Sequence, residues 1–203
     1  MRGFKKDIYR SSGEEEDVIV LDPFDYMIVT YKYDLESFHT DLDSATSFFN
    51  ATTQNGRWVG CGQNNGYITP NNSYGINEAY LYQHGDDNNN GHGESIVVNF
   101  KNIRDAGLIL DDLAIVELYA GWCASTTRGT CTVSATTYIG GTMSFIENVI
   151  VSNGTVANPP ANSGDIHCQF GCCSTPPLTG KTHIGTIRYN YLTQIVSVEY
   201  YTT

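Results

Sequence analysis

Gly85-Asp86-Asp87-Asn88-Asn89-Asn90-Gly91-His92-Gly93-Glu94-Ser95-Ile96-Val97-Val98-Asn99-Phe100 changes character in its middle. Up to Glu94 it holds no apolar side chain. From Ser95 an alternating run begins, as in a half-buried strand. Asp and Asn oxygens at alternate positions, with Gly to relax the backbone, suit a hard cation such as Ca²⁺. Asp86-x-Asn88-x-Asn90-Gly91 matches the first half of an EF-hand loop, but Val97 stands where that loop needs its bidentate Glu. No helical pattern flanks it. The stretch reads as a loop entering a strand, with Glu94 at the strand's mouth. The plain alternative is a solvated turn, since Asp, Asn and Gly are also the commonest turn residues.

A second acidic stretch lies upstream. Thr40-Asp41-Leu42-Asp43-Ser44-Ala45 precedes the short apolar run Phe48-Phe49 and reads as an acidic corner. Two carboxylates two residues apart on extended chain point to the same side. A corner of this kind facing the 86–94 loop would complete an oxygen cage.

Outward from these motifs the strand signals are dense. Val18–Leu21, Tyr26–Tyr33, Arg57–Cys61 and Ala79–Gln83 are short runs rich in β-branched and aromatic residues. Leu113–Ala120 is the clearest central strand. Thr132–Ile139 and Thr142–Val151 continue the pattern, with Gly140-Gly141 as turn or bulge between them. Asp165–Phe170 is a further short strand. His183–Tyr189 and Ile195–Tyr201 form a closing hairpin that turns at 190–194. Lys101–Gly107 reads as one helical turn, and 62–78 and 153–164 as loops. No helical segment of four turns appears, so parallel βαβ units are excluded and the expected fold is an antiparallel β-sandwich. Residues 1–16 are set apart from the sandwich domain, 17–203. Arg2, Lys5, Lys6 and Arg10 precede Glu14-Glu15-Glu16-Asp17, blocks of like charge typical of an arm.

Asp41-Leu42-Asp43-Ser44-Ala45, with the later segment from Gly85-Asp86-Asp87-Asn88 through Gly91-His92-Gly93-Glu94 to Phe100, resembles the calcium-binding core of the tellurium-resistance (TerD-like) stress-protein family. That family carries a D-L-D-x-S/A motif and an acidic loop that leads into a strand. Tyr138-Ile139-Gly140-Gly141-Thr142-Met143 is similar to a run in a β-rich module of bacteriophage virion proteins. The resemblance implies a TerD-like, jelly-roll-like sandwich and one Ca²⁺ held by Asp41, Asp43, Asp86, Asp87, Asn88 and Glu94. His92 and Gly93 replace the acidic pair that precedes the family's final Glu, which puts a second calcium site in doubt.

Charge and motifs narrow the functional classes. The 203 residues carry a net charge of −11, and Arg57 is the lone Lys or Arg between Lys32 and Lys101, the interval that holds both acidic motifs. Nucleic-acid binding needs a basic surface and is not expected. No apolar run approaches membrane-spanning length. Met1–Lys6 resembles the start of a leader, but no apolar segment follows, so synthesis in a host cytoplasm is expected. There is no nucleophile elbow, H-E-x-x-H, phosphate-binding loop or dinucleotide fingerprint. The six cysteines are Cys61, Cys123, Cys131, Cys168, Cys172 and Cys173. For these, buried thiols rank first, disulfides such as Cys123–Cys131 second, and zinc at Cys168–Cys173 third.

The expectation is therefore a non-enzymatic bacteriophage virion protein, a capsid-decoration or head-fibre subunit with a calcium-stabilised sandwich. Its partners would be other virion subunits or copies of itself, reached through the arm. The alternatives are a cellular TerD-like calcium-binding stress protein and a calcium-dependent carbohydrate-binding module that meets surface glycans through its many Tyr residues.

Overall fold

Alternating side chains on short strands dictate two packed sheets, and the computed structural model has them. It describes residues 19–33, 42–48, 58–60, 67–68, 75–84, 94–109, 111–123, 129–146, 149–169, 171 and 180–201. The 1–16 arm, Asp41, Asp86, Asp87 and Asn88 lie outside these residues.

One sheet has six strands. They are β1 (Ile19–Leu21), β3 (Leu42–Phe48), β4 (Trp58–Gly60), β8 (Leu113–Trp122), β14 (Thr182–Asn190) and β15 (Ile195–Tyr200). Their order is β1-β15-β14-β8-β3-β4. The second sheet holds β2 (Tyr26–Tyr33), β5 (Tyr67–Ile68), β6 (Leu81–His84), β7 (Ser95–Val98), β9 (Gly129–Ile139) and β12 (Thr155–Asn162), in the order β12-β9-β2-β7-β6-β5. A further strand, β13 (Ile166–Cys168), pairs with β9 beside this row. Every pairing is antiparallel. The expected all-β sandwich is the observed one.

Met27, Val29 and Tyr31 of β2 and Ile96 and Val98 of β7 meet Ala114, Val116, Leu118, Ala120 and Trp122 of β8 across the sandwich in one continuous core. Their period of two places the residues between them on the outer faces. The outer face of the second sheet has its own cover. The hairpin β10 (Met143–Ile146) and β11 (Val149–Ser152) lies over Tyr26, Ile28, Tyr82 and Val97, adding Met143 and Ile150 to a second apolar cluster. Asn77 pins this hairpin: the Met143 N–H donates to its Oδ1 at 2.7 Å, and its Nδ2 donates to the Met143 carbonyl at 3.1 Å. The helix α1 (Phe100–Asp105) caps one end, with Phe100 and Ile103 buried and Asn99 accepting the Asn102 N–H at 3.0 Å.

Several local expectations are corrected. Residues 142–151 do not form one strand but two, β10 and β11. Residues 155–162, expected as part of a 153–164 loop for their Pro, Gly, Asn and Ser content, form β12, Pro159 and Pro160 included. It is an edge strand with irregular register between Val156 and Ala161, where a missing N–H is tolerated. Leu42–Ser44, expected as a corner, opens β3. The chain between Cys123 and Cys131 is not a hairpin tip, because β8 and β9 belong to different sheets.

Candidate functional site

The β2–β3, β6–β7 and β8–β9 connections all leave from one end of the sandwich. Register shows this: Tyr33 pairs with Cys131, Thr30 with Ser95, His84 with Ser95, and Leu42 with Trp122. The two acidic motifs therefore enter the fold at the same end. Their described members meet there. Glu94, just ahead of β7, is buried, and its Oε2 accepts the backbone N–H of Ser44 in β3. Its own carbonyl accepts the Tyr31 N–H at 2.9 Å.

The rest of this end is polar inside. Leu42, Ser44, Thr46 and Phe48 share one face of β3, and Leu42 and Phe48 lie in the main core, so Ser44 and Thr46 also face inward. Tyr31 and Gln83 face them from β2 and β6, by the same parity as Val29 and Leu81. All four are buried. The Tyr31 hydroxyl lies near Thr46, and burial pushes its pKa well above the ordinary phenol value. Ser44 Oγ and Gln83 Nε2 are buried without a hydrogen-bond partner among the described residues. A buried polar atom without any partner costs about 1–3 kcal/mol. The polar groups here are the Glu94 carboxylate, the Gln83 amide and the hydroxyls of Tyr31, Ser44 and Thr46; of these, the carboxylate and the amide oxygen are of the type a hard cation takes.

Asp43 has a different setting. It occupies the opposite face of β3 from Ser44, yet its side chain is 0% exposed. Lys181, entering β14, puts its Nζ 3.6 Å from Asp43 Oδ2 and is also 0% exposed. The same Nζ donates to the Gly171 carbonyl at 2.7 Å. Gly171 in turn donates its N–H to the Trp122 carbonyl at 3.0 Å, and the Trp122 N–H donates to the Gln169 carbonyl at 2.9 Å. Gln169, just past β13 of one sheet, and Gly171 thus both bond to the end of β8 in the other. The packing is backbone on backbone: a Cβ at Gly121 would stand 2.7 Å from the Gly171 carbonyl oxygen. Asp43, expected as a calcium ligand, thus has a built-in countercharge in Lys181. Sequence reasoning missed Lys181, although it is the lone Lys or Arg between Arg128 and Arg188.

The cysteines divide into two groups at this end. Cys123, following Trp122, is disulfide-bonded. Cys131 and Cys168 are buried thiols in this structure, the first-ranked expectation, and the second-ranked Cys123–Cys131 bridge is not formed. Their sulfurs are 3.3 Å apart. Since both are free, the partner of Cys123 is one of Cys61, Cys172 and Cys173, which lie outside the described residues.

The outer face of the six-stranded sheet carries a separate polar row. Tyr119 donates to Glu117 Oε2 at 2.7 Å, and Ser47 donates to the same oxygen at 3.3 Å. Tyr119 stacks on His183, whose edge meets Tyr201, and Arg188 pairs with Glu199 at 2.6 Å. Burial and then Glu117 raise the Tyr119 phenol well above its usual range. These groups satisfy one another, as a half-buried sheet face requires. Among the described residues, no three His, Cys, Asp or Glu side chains gather as a metal centre, and no helix is long and apolar enough to cross a membrane. No family model, curated protein or solved structure matches the chain.

Proposed function

We propose that this chain is a non-enzymatic structural subunit of a bacteriophage virion, a capsid-decoration or fibre-associated protein, whose sandwich is stabilised by one Ca²⁺ at its acidic end. The observation that supports this reading is the contact of Glu94 with Ser44. It joins the mouth of one acidic motif to the strand that follows the other. The site would use Glu94 with Asp41, Asp86, Asp87 and Asn88, while Asp43, already facing Lys181, would act on it only through the position of β3. The virion assignment rests on the resemblance of residues 138–143 and on the charged 1–16 stretch. The Cys123 disulfide favours a protein that works outside a reducing cytosol over the cellular stress-protein alternative.

Calorimetric titration with Ca²⁺ tests the site, with Glu94→Gln and Asp43→Asn as paired variants. Wild type and Asp43→Asn should both take up calcium, and Glu94→Gln should lose at least about tenfold in affinity. A cation bound only by the folded state adds about 2.7 kcal/mol at a hundredfold excess over Kd, so chelation should lower the melting temperature. Equal heats from wild type and Glu94→Gln would reject the site.

A further inference from the structure

We propose that Cys131 and Cys168 are joined by a disulfide in the mature protein, and that this bond fastens the 166–171 crossing segment to β9. The two thiols are unbonded in this structure, but their sulfurs are 3.3 Å apart on diagonal positions of adjacent strands, each on a residue 1% exposed. β13 has three residues and pairs with β9 alone, through Ile166–Cys131, His167–Thr130 and Cys168–Gly129. From Cys168 the chain crosses to β8 and is held there by the two Trp122 backbone bonds and by Lys181. Three backbone pairs and a few polar contacts are a slight anchor for a segment that ties the two sheets together. A covalent bond at Cys168 secures it at the point where it leaves the second sheet.

The chemistry is thiol–disulfide exchange with a small-molecule disulfide, RSSR, as the oxidant. One cysteine thiolate attacks RSSR, breaking its S–S bond, forming a mixed disulfide and expelling RS⁻. The other thiolate attacks the protein sulfur of that mixed disulfide, forming Cys131–Cys168 and expelling the second RS⁻. The two thiol protons end on two RSH molecules, so two sulfurs of the protein are oxidised and two of the reagent reduced. Contact with Cys168 and burial both hold the Cys131 thiol protonated, and the native interior excludes the reagent. The exchange therefore belongs to folding, before the sheets close over β13.

The experiment uses the full chain refolded with an oxidised/reduced glutathione mixture, then denatured, alkylated and digested without reduction. The expected result is a linked peptide pair containing Cys131 and Cys168, two hydrogens lighter than the sum of its thiol forms. Alkylation of both residues, or linkage of either to another cysteine, overturns the proposal. A second readout is the Cys131→Ala/Cys168→Ala variant, which keeps the Cys123 bridge. The oxidised wild type should melt at least about 5 °C above the same protein refolded with both thiols reduced, and the variant should show a smaller response to reductant. An equal response in the two proteins refutes the bond. If the variant does not fold, the peptide map decides alone. Calcium plays no part in either readout, so the outcome is independent of the proposed cation site.

Discussion

Replacing Lys181 by Met removes a charge from a place that water does not reach. Its Nζ donates to the Gly171 carbonyl at 2.7 Å and stands 3.6 Å from Asp43 Oδ2. The second distance is too long for a charge-assisted hydrogen bond, so the attraction to Asp43 is mainly coulombic. At 3.6 Å and an effective dielectric near 20 it is worth about 5 kcal/mol. Desolvation offsets much of that when the pair is intact. When one partner is removed, the cost is borne by the charge left behind, typically about 3–5 kcal/mol. For a chain of this size each kcal/mol shifts the melting temperature by about 2–4 °C. Lys181→Met should therefore melt roughly 6–20 °C below wild type. Asp43→Asn leaves Lys181 its Gly171 bond and should cost less. The assay is a double-mutant cycle by urea unfolding of wild type, both single variants and the double variant. The double variant should be more stable than the sum of the singles requires, by about 2 kcal/mol or more, because it strands no charge. Additivity within about 0.5 kcal/mol would show that the two side chains do not act as a pair, and the structural role given to Asp43 would fail with it.

Two further outcomes follow from single side chains. Asn77→Ala should lower stability by about 1–3 kcal/mol, because both the Met143 N–H and carbonyl lose a partner; hydrogen exchange at Met143 should quicken, and an unchanged rate would show that the hairpin does not depend on this clamp. His84 packs its ring 4.2 Å from Phe145, and burial lowers its pKa from 6.5. The unfolded chain then takes up the proton first, so this contribution to stability is complete above about pH 6.5 and is lost as pH falls through the folded pKa. His84→Phe should lose less melting temperature than wild type between pH 7 and pH 5.5, and identical slopes would refute the assignment.

Strands were legible because a strand is announced locally. Leu113–Ala120 alternates between half-buried and buried over eight residues, and nothing distant is needed to see it. What failed were readings that depended on a partner elsewhere in the chain. Asp43 reads as part of an acidic corner open to a cation, and the lysine beside it comes from far along the chain, just ahead of β14. Pro159 and Pro160 lie in a stretch that reads as loop for its Pro, Gly, Asn and Ser content, but Pro breaks a ladder only where both strand edges are occupied, and β12 has a free edge. Composition places Cys131 and Cys168 among buried thiols, as found, but nearness in sequence offers Cys123 as the neighbour of Cys131, while the fold sends β8 and β9 to different sheets and brings Cys168 instead. The candidate site shows the same division. Glu94 stood out where an acidic loop meets an alternating run, and it does sit at that mouth. Tyr31, Ser44, Thr46 and Gln83 did not, since a polar residue on a strand ordinarily marks the solvent side. Here the same parity that sends Leu42, Phe48, Val29 and Leu81 into the core carries these four inward with them. A polar side chain in phase with core residues of its own strand is therefore the signal to look for: it means that the interior at that level is not purely apolar, and in this chain that level is where both acidic motifs enter.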